Sequence, residues 1–187
     1  MTVLEQLEAY VPFNEQEARD RELILWYLRA MPDAFSRENR AAHMSASAWV
    51  VNARRTRALM AYHKIYDSWS WLGGHADGDT DLLAVALREA REESGITAIR
   101  PVLPDIFSVE ALTVDGHEKR GAYVSSHLHL NVTYLLEADE NKPLFVKADE
   151  NSGVRWFSLQ GAVSASSEPW FRPVSYTHLT LPTSLRV

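Results

Sequence analysis

The sequence predicts an α/β (α+β) fold, a single layered domain built on a mixed sheet and preceded by an N-terminal helical extension. Three observations lead there. Helical signals dominate residues 1–45, a hairpin pattern then leads through a glycine-rich loop into a sharply bounded amphipathic helix, and the second half consists mostly of short strand patterns. Helices and strands interleaved in this order bury their apolar faces most simply as layers around one core. A chain of 187 residues is long enough to build such a core.

Each element has its own local reason. Asn14 followed by Glu17 makes a capping-box-like helix start, and Ala18, Leu23, Leu25, Trp26 and Leu28 then offer apolar side chains for burial. Pro32 stops that helix, because proline disfavours helical backbone at the residue before it. Ala48–Asn52 and Ala58–Ile65 read as strands joined by the polar turn Ala53-Arg54-Arg55-Thr56. Asp67–Asp81 reads as a loop containing Gly73, Gly74 and Gly78. Asp81–Ser94 is the clearest helix, with Leu83, Ala86, Leu87 and Ala90 on one face and Gly95 as its C-cap. Val109–Val114, Val124–Glu137 and Val154–Ser158 read as strands, the second alternating polar and apolar residues from Ser126 to Val132. The expected division is a helical extension over 1–45 packed on the core, a main domain over 46–173 and a separate tail over 174–187.

Composition excludes several function classes. The net charge of -6 lacks the basic footprint that general nucleic-acid or membrane-surface binding requires, so neither partner is expected. With no cysteine, disulfides and thiolate catalysis are excluded. Met1–Pro12 is acidic and has no basic start with an apolar run, so it does not read as a secretory signal. No stretch approaches the ~18 apolar residues of a membrane span. A cytoplasmic location is the expectation.

The residues that carry chemistry lie in the run Arg88-Glu89-Ala90-Arg91-Glu92-Glu93. At ~100° per residue, Glu89, Glu92 and Glu93 fall within an arc of about 100° of one helix. Three carboxylates so placed repel one another, which raises their proton affinity and which a hard divalent cation would relieve. Taken alone, such a run is a common solvated helix face. Arg88 lies one turn before Glu92, within reach of an ion pair.

The spacing around the run is more specific. Gly74, Arg88, Glu89, Glu92, Glu93, Gly95 and Ile96 resemble the Nudix signature, G-x5-E-x7-R-E-U-x-E-E-x-G-U with U a bulky aliphatic residue. Two positions depart from it: Ala90 is a small residue at the first U, and Thr80 stands where the first glutamate is expected. Trp71-Leu72-Gly73-Gly74-His75, the preceding hairpin, and Glu150 followed by Arg155-Trp156-Phe157 extend the resemblance over about residues 45–160.

The resemblance implies a Nudix-type α/β/α sandwich and Mg²⁺-dependent hydrolysis of a diphosphate linkage, with Mn²⁺ as a substitute. The substrate would be a nucleoside diphosphate joined to another moiety. It further implies that Glu92 and Glu93 bind metal, with Glu89 as a third ligand or outer partner. Glu93 and Glu150 are both candidates for the catalytic base, Arg88 orients the carboxylates, and Gly74 gives the loop a tight path. Asp77, Asp79 or Asp81 can supply the charge missing at Thr80, and Thr80 or Asp79 can cap the helix. A homodimer is compatible with proteins of this kind. Thr80 keeps a second reading open, a catalytically weak Nudix-like domain that senses a nucleotide or metabolite. Prenyl-diphosphate isomerisation, known on this fold, uses a cysteine that this chain lacks.

Weaker signals have blander explanations. His127 and His129 share a strand face and can bind metal or phosphate, although such pairs are more often a polar sheet surface. His75 is expected near the mouth of the site. Arg54, Arg55 and Arg57 read as a solvent-facing patch, and Lys64 as a phosphate candidate. Tyr66, Trp69 and Trp71 more often pack beneath a glycine loop than stack on a ligand. From about Val174 the chain resembles a translated sequencing-library adapter, so 174–187 is expected to be non-native and carries no functional argument.

Overall fold

The computed structural model describes residues 1–64, 67–119, 121–147 and 151–167. Glu150, Tyr66 and the expected tail lie outside them.

The chain opens with helices α1 (Val3–Ala9) and α2 (Glu15–Ala30), followed by strands β1 (Ala42–Val51), β2 (Arg57–His63), β3 (Ser68–Ser70) and β4 (Leu72–His75). Helix α3 (Leu82–Ser94) comes next, then β5 (Arg100–Pro101), β6 (Ser108–Val114), β7 (His117–Lys119), β8 (Ala122–Val124), β9 (His127–Glu137), β10 (Asn151–Ser158) and α4 (Leu159–Ala165).

Among the described residues, eight strands form one mixed sheet and β7–β8 a separate hairpin. The sheet is organised by the parallel pairing of β1 with β9, from Ala42 opposite Leu128 to Val51 opposite Glu137. Both strands change neighbours along their length. The first half of β1 pairs with β4 and its end with β2. Likewise β9 pairs first with β6 and then with β5.

Residues of β1 are buried along the whole strand because both faces are covered. Met44, Ala46, Ala48 and Val50 join Leu130, Val132, Tyr134 and Leu136 of β9 in the larger core, together with Val85, Ala86 and Ala90 of α3. Alanines on both helix and strand let α3 lie close against β1 and β4. Trp49 and Val51 enter a second cluster with Met60, Trp71, Phe107 and Leu135. Val3, Leu7, Ile24 and Leu25 of the first two helices belong to the larger core. Polar ties reinforce them: the Tyr134 hydroxyl donates to Gln6 at 3.3 Å, and the Tyr27 hydroxyl donates to the Ala42 carbonyl at 3.1 Å.

Several elements differ from the sequence expectation. Residues 1–45 are not uniformly helical. Turns follow α2, and β1 begins at Ala42 rather than Ala48 because alternating His43, Ser45 and Ser47 with small alanines gives a weak strand signal. Asp67–Asp81 contains two short strands; glycines are poor strand formers, but β1 supplies the partner for Gly73 and Gly74. Val124–Glu137 is interrupted at Ser125-Ser126. The basic turn faces solvent as expected, with Arg54 and Arg57 both pairing with Glu140, at 2.9 and 3.3 Å. Trp71 is buried against Trp49, as expected of an aromatic beneath the loop. No helix among the described residues is long and apolar enough to cross a membrane.

The α3 start also differs. Asp81, not Thr80 or Asp79, is the N-cap, accepting from the Ala84 amide at 3.0 Å. Thr80 is exposed. Asp81→Ala is therefore expected to lower unfolding free energy by about 1 kcal/mol in a urea titration. Thr80→Ala should stay within roughly 0.5 kcal/mol of wild type.

Candidate active site

Helix α3 presents its acidic run to β4 because its apolar face is committed to the sheet. Glu89 and Glu93, one turn apart, both face the glycine pair. Glu93 is almost fully buried at 1% exposure. One carboxylate oxygen accepts from the Gly73 amide and the other from the Asn151 side-chain amide, each at 2.9 Å. These bonds tie α3, β4 and β10 together at a single side chain. They also compensate the desolvation that burying a carboxylate incurs.

The two glycines are required by close approach rather than by unusual backbone. A β-carbon at Gly74 would sit 2.6 Å from the Glu89 carboxyl carbon. At Gly73 it would sit 2.7 Å from the Ala46 carbonyl oxygen and 2.8 Å from the Ser47 hydroxyl. At Gly95, by contrast, φ is +74° and the left-handed conformation ends the helix.

Glu89 is partly buried, and that burial pushes its carboxyl above the usual carboxylate range, with Glu92 adding to the rise and Arg88 opposing it. Arg88 donates to Glu89 at 3.2 Å and lies 3.6 Å from Asp79. The expected Arg88–Glu92 pair is corrected: Glu92 faces outward and pairs with Lys147 at 3.0 Å. Lys147 reaches it because the loop after β9 returns to the end of α3, where the Phe145 amide donates to the Ser94 carbonyl. Of the three aspartates considered for the charge missing at Thr80, Asp79 is the one beside Arg88. Asp77 is bound to Arg37 instead, which holds its carboxyl below the usual range.

The structure thus brings Gly74, Arg88, Glu89 and Glu93 together and leaves Glu92 at the rim. Glu150 is outside the described residues. Sequence reasoning missed Asn151, whose role is set by long-range pairing of β10 with β2 and has no local signature. Its Oδ1 is buried with no hydrogen-bond partner among the described residues. His43 was missed for the same reason, being met by His75, His127 and His129 only once β1, β4 and β9 pair.

Comparison with known proteins agrees with this geometry. The NUDIX domain profile matches residues 41–177, well over half of the chain. The fold is similar to that of a NUDIX-family hydrolase from Clostridium perfringens, with a TM-score of 0.55 at 18% identity, covering 76% of this chain and 98% of that one. It is also similar to the E. coli dihydroneopterin triphosphate pyrophosphohydrolase, with a TM-score of 0.53 at 13% identity, covering 71% and 91%. No curated protein matches in sequence.

The raised Glu89 carboxyl has a testable sign. Its folded form holds a proton more tightly than the unfolded chain does, so ionisation of Glu89 costs stability as pH rises above the ordinary carboxylate value. In metal-free buffer, Glu89→Gln should raise the melting temperature at pH 8, and the gain should vanish near pH 4. A gain that is the same at both pH values would contradict the burial of an ionised Glu89.

Proposed function

Since the chain belongs to the NUDIX domain family, we propose that it hydrolyses the diphosphate linkage of a nucleoside diphosphate joined to another group, with Mg²⁺ or Mn²⁺ as cofactor. The observation that carries this reading is the placement of Glu89 and Glu93 on one helix face against the Gly73-Gly74 strand. The donor set fits a hard cation. Glu89 and Glu93 offer oxygen, Asn151 Oδ1, without a partner among the described residues, lies on a side chain bonded to Glu93, and Glu92 adds charge at the rim. When bound, Mg²⁺ neutralises diphosphate oxygens and lowers the proton affinity of nearby water.

The protein's own groups do the rest. Gly73 and Asn151 hold the Glu93 carboxylate in one orientation, so it requires no reorganisation when substrate arrives. Glu93, held in that orientation, is one candidate to receive the proton of the attacking water. The water oxygen bonds to phosphorus, the bridging P–O bond breaks, and its electrons leave with the departing phosphate. Arg88 orients Glu89 rather than contacting substrate, and Asp79 balances its charge where Thr80 cannot. Glu150, next to Asn151 in the chain, is a second candidate base. The ion pair between Asp79 and Arg88 supports an enzyme over a ligand sensor, since the charge missing at Thr80 has a replacement.

The purified chain, incubated with Mg²⁺, should release a mononucleotide from at least one member of a panel. That panel comprises nucleotide sugars, dinucleoside polyphosphates, NADH, ADP-ribose and nucleoside triphosphates. Release should fall by about 10²-fold or more in Glu93→Gln, equivalent to roughly 3 kcal/mol. No release from any substrate, with metal-independent binding of one of them, would favour the sensor. Gly74→Ala offers a sharper test, because the atoms it would crowd belong to the mobile end of Glu89. Turnover should drop on the order of 10²-fold with little loss of thermal stability.

A further inference from the structure

A second group of ligating side chains lies on the other face of β4. Side chains alternate across a strand, so Gly74 faces α3 while His75 faces away from it. There His75 sits beside Ser45 of β1, two residues along from His43, which is itself paired with His129 in the parallel register of β1 and β9. Ring centroids are 5.1 Å apart for His43 and His75, 5.1 Å for His43 and His129, and 4.8 Å for His75 and His129. One ring nitrogen from each of these three comes within 4.8 Å of the others. His127, two residues before His129, stacks on His43 at 5.0 Å.

The hydrogen bonds fix which nitrogens are bare. His43 Nδ1 lies 3.0 Å from the Asn39 carbonyl, which can only accept, so Nδ1 carries the proton and Nε2 a lone pair. That Nε2 is buried, at 4% residue exposure, and has no hydrogen-bond partner among the described residues. His127 Nδ1 faces the Ser125 carbonyl at 2.9 Å, which leaves a lone pair on its Nε2, and that nitrogen is hydrogen-bonded to His129 Nε2 at 3.2 Å. Asn39 is itself anchored, accepting from the Tyr27 hydroxyl and donating to Asp33, both at 2.9 Å. A backbone carbonyl orienting the far nitrogen of an imidazole is the usual support of a metal-binding histidine.

We propose that His43, His75 and His129 bind a divalent transition-metal ion of the zinc type, with the fourth position left to water, at a site separate from the carboxylates of α3. Neutral imidazoles suit zinc, cobalt, nickel or copper, whereas Mg²⁺ takes oxygen ligands. The ion would clamp β1, β4 and β9 together, next to Gly73 and Gly74 within β4.

The test uses the whole chain, stripped with chelator and held in excess Mg²⁺ to occupy oxygen sites. Titration with Co²⁺ should give a single saturable site with the intense visible bands of four-coordinate ligation, bleached on adding Zn²⁺. His75→Gln and His129→Gln should each weaken Co²⁺ binding by about tenfold or more, and Glu92→Gln should not. On the unmutated protein, Zn²⁺ should shift the imidazole nitrogen resonances of His43, His75 and His129 and leave those of His63 and His117 in place. That readout stands even if a variant fails to fold. Absence of the visible bands, loss of binding in Glu92→Gln, or imidazole shifts produced by inorganic phosphate but not by Zn²⁺ would overturn the proposal.

Discussion

The carboxylate of Glu93 is the constraint from which the site is built. A buried carboxylate without partners would cost several kcal/mol, so its position is dictated by the two donors that meet it. Those donors come from Gly73 on β4 and Asn151 on β10. Helix α3 therefore cannot rotate or slide on the sheet without leaving a charge unsatisfied. The apolar contacts of Val85, Ala86 and Ala90 set the depth of the helix, and Glu93 sets its register.

The same constraint explains why the three glutamates of α3 have different environments. Glu93 accepts from Gly73 and Asn151, Glu89 is confined beneath Gly74 with a raised proton affinity, and Glu92 is turned outward to Lys147. A charged helix face has become a graded set of carboxylates because one edge of it lies against Gly73 and Gly74, which have no side chains. Any β-carbon at Gly73 would meet the backbone of β1, so β4 can approach both the helix and its partner strand only as glycine.

On the opposite sheet face the polar side chains form a continuous band from the histidines inward. Ser45 and Ser47 both donate to Asn131, whose amide donates to Glu110 at 2.8 Å, and Thr133 and Ser108 complete the carboxylate's shell. Every one of these residues is buried. A satisfied network of this kind specifies register strongly, because a shift of β1 against β9 by one residue would strand all of its donors and acceptors.

By itself the sequence determined whatever depends on local spacing: the α3 helix with its apolar face, its Gly95 stop, the hairpin turn, and the distances from Gly74 to Arg88 and the glutamates that mark the family. These are legible because a helix or turn is decided by residues a few positions apart. Tertiary structure alone decided which carboxylates are buried, that Asp79 rather than Thr80 accompanies Arg88, that Asn151 holds Glu93, and that four histidines meet. Each of those depends on strands far apart in the chain being placed side by side, and the parallel pairing of β1 with β9 spans more than eighty residues. A single chain carries no local trace of such a contact, so His43 reads as an ordinary strand residue until β4 and β9 lie next to it.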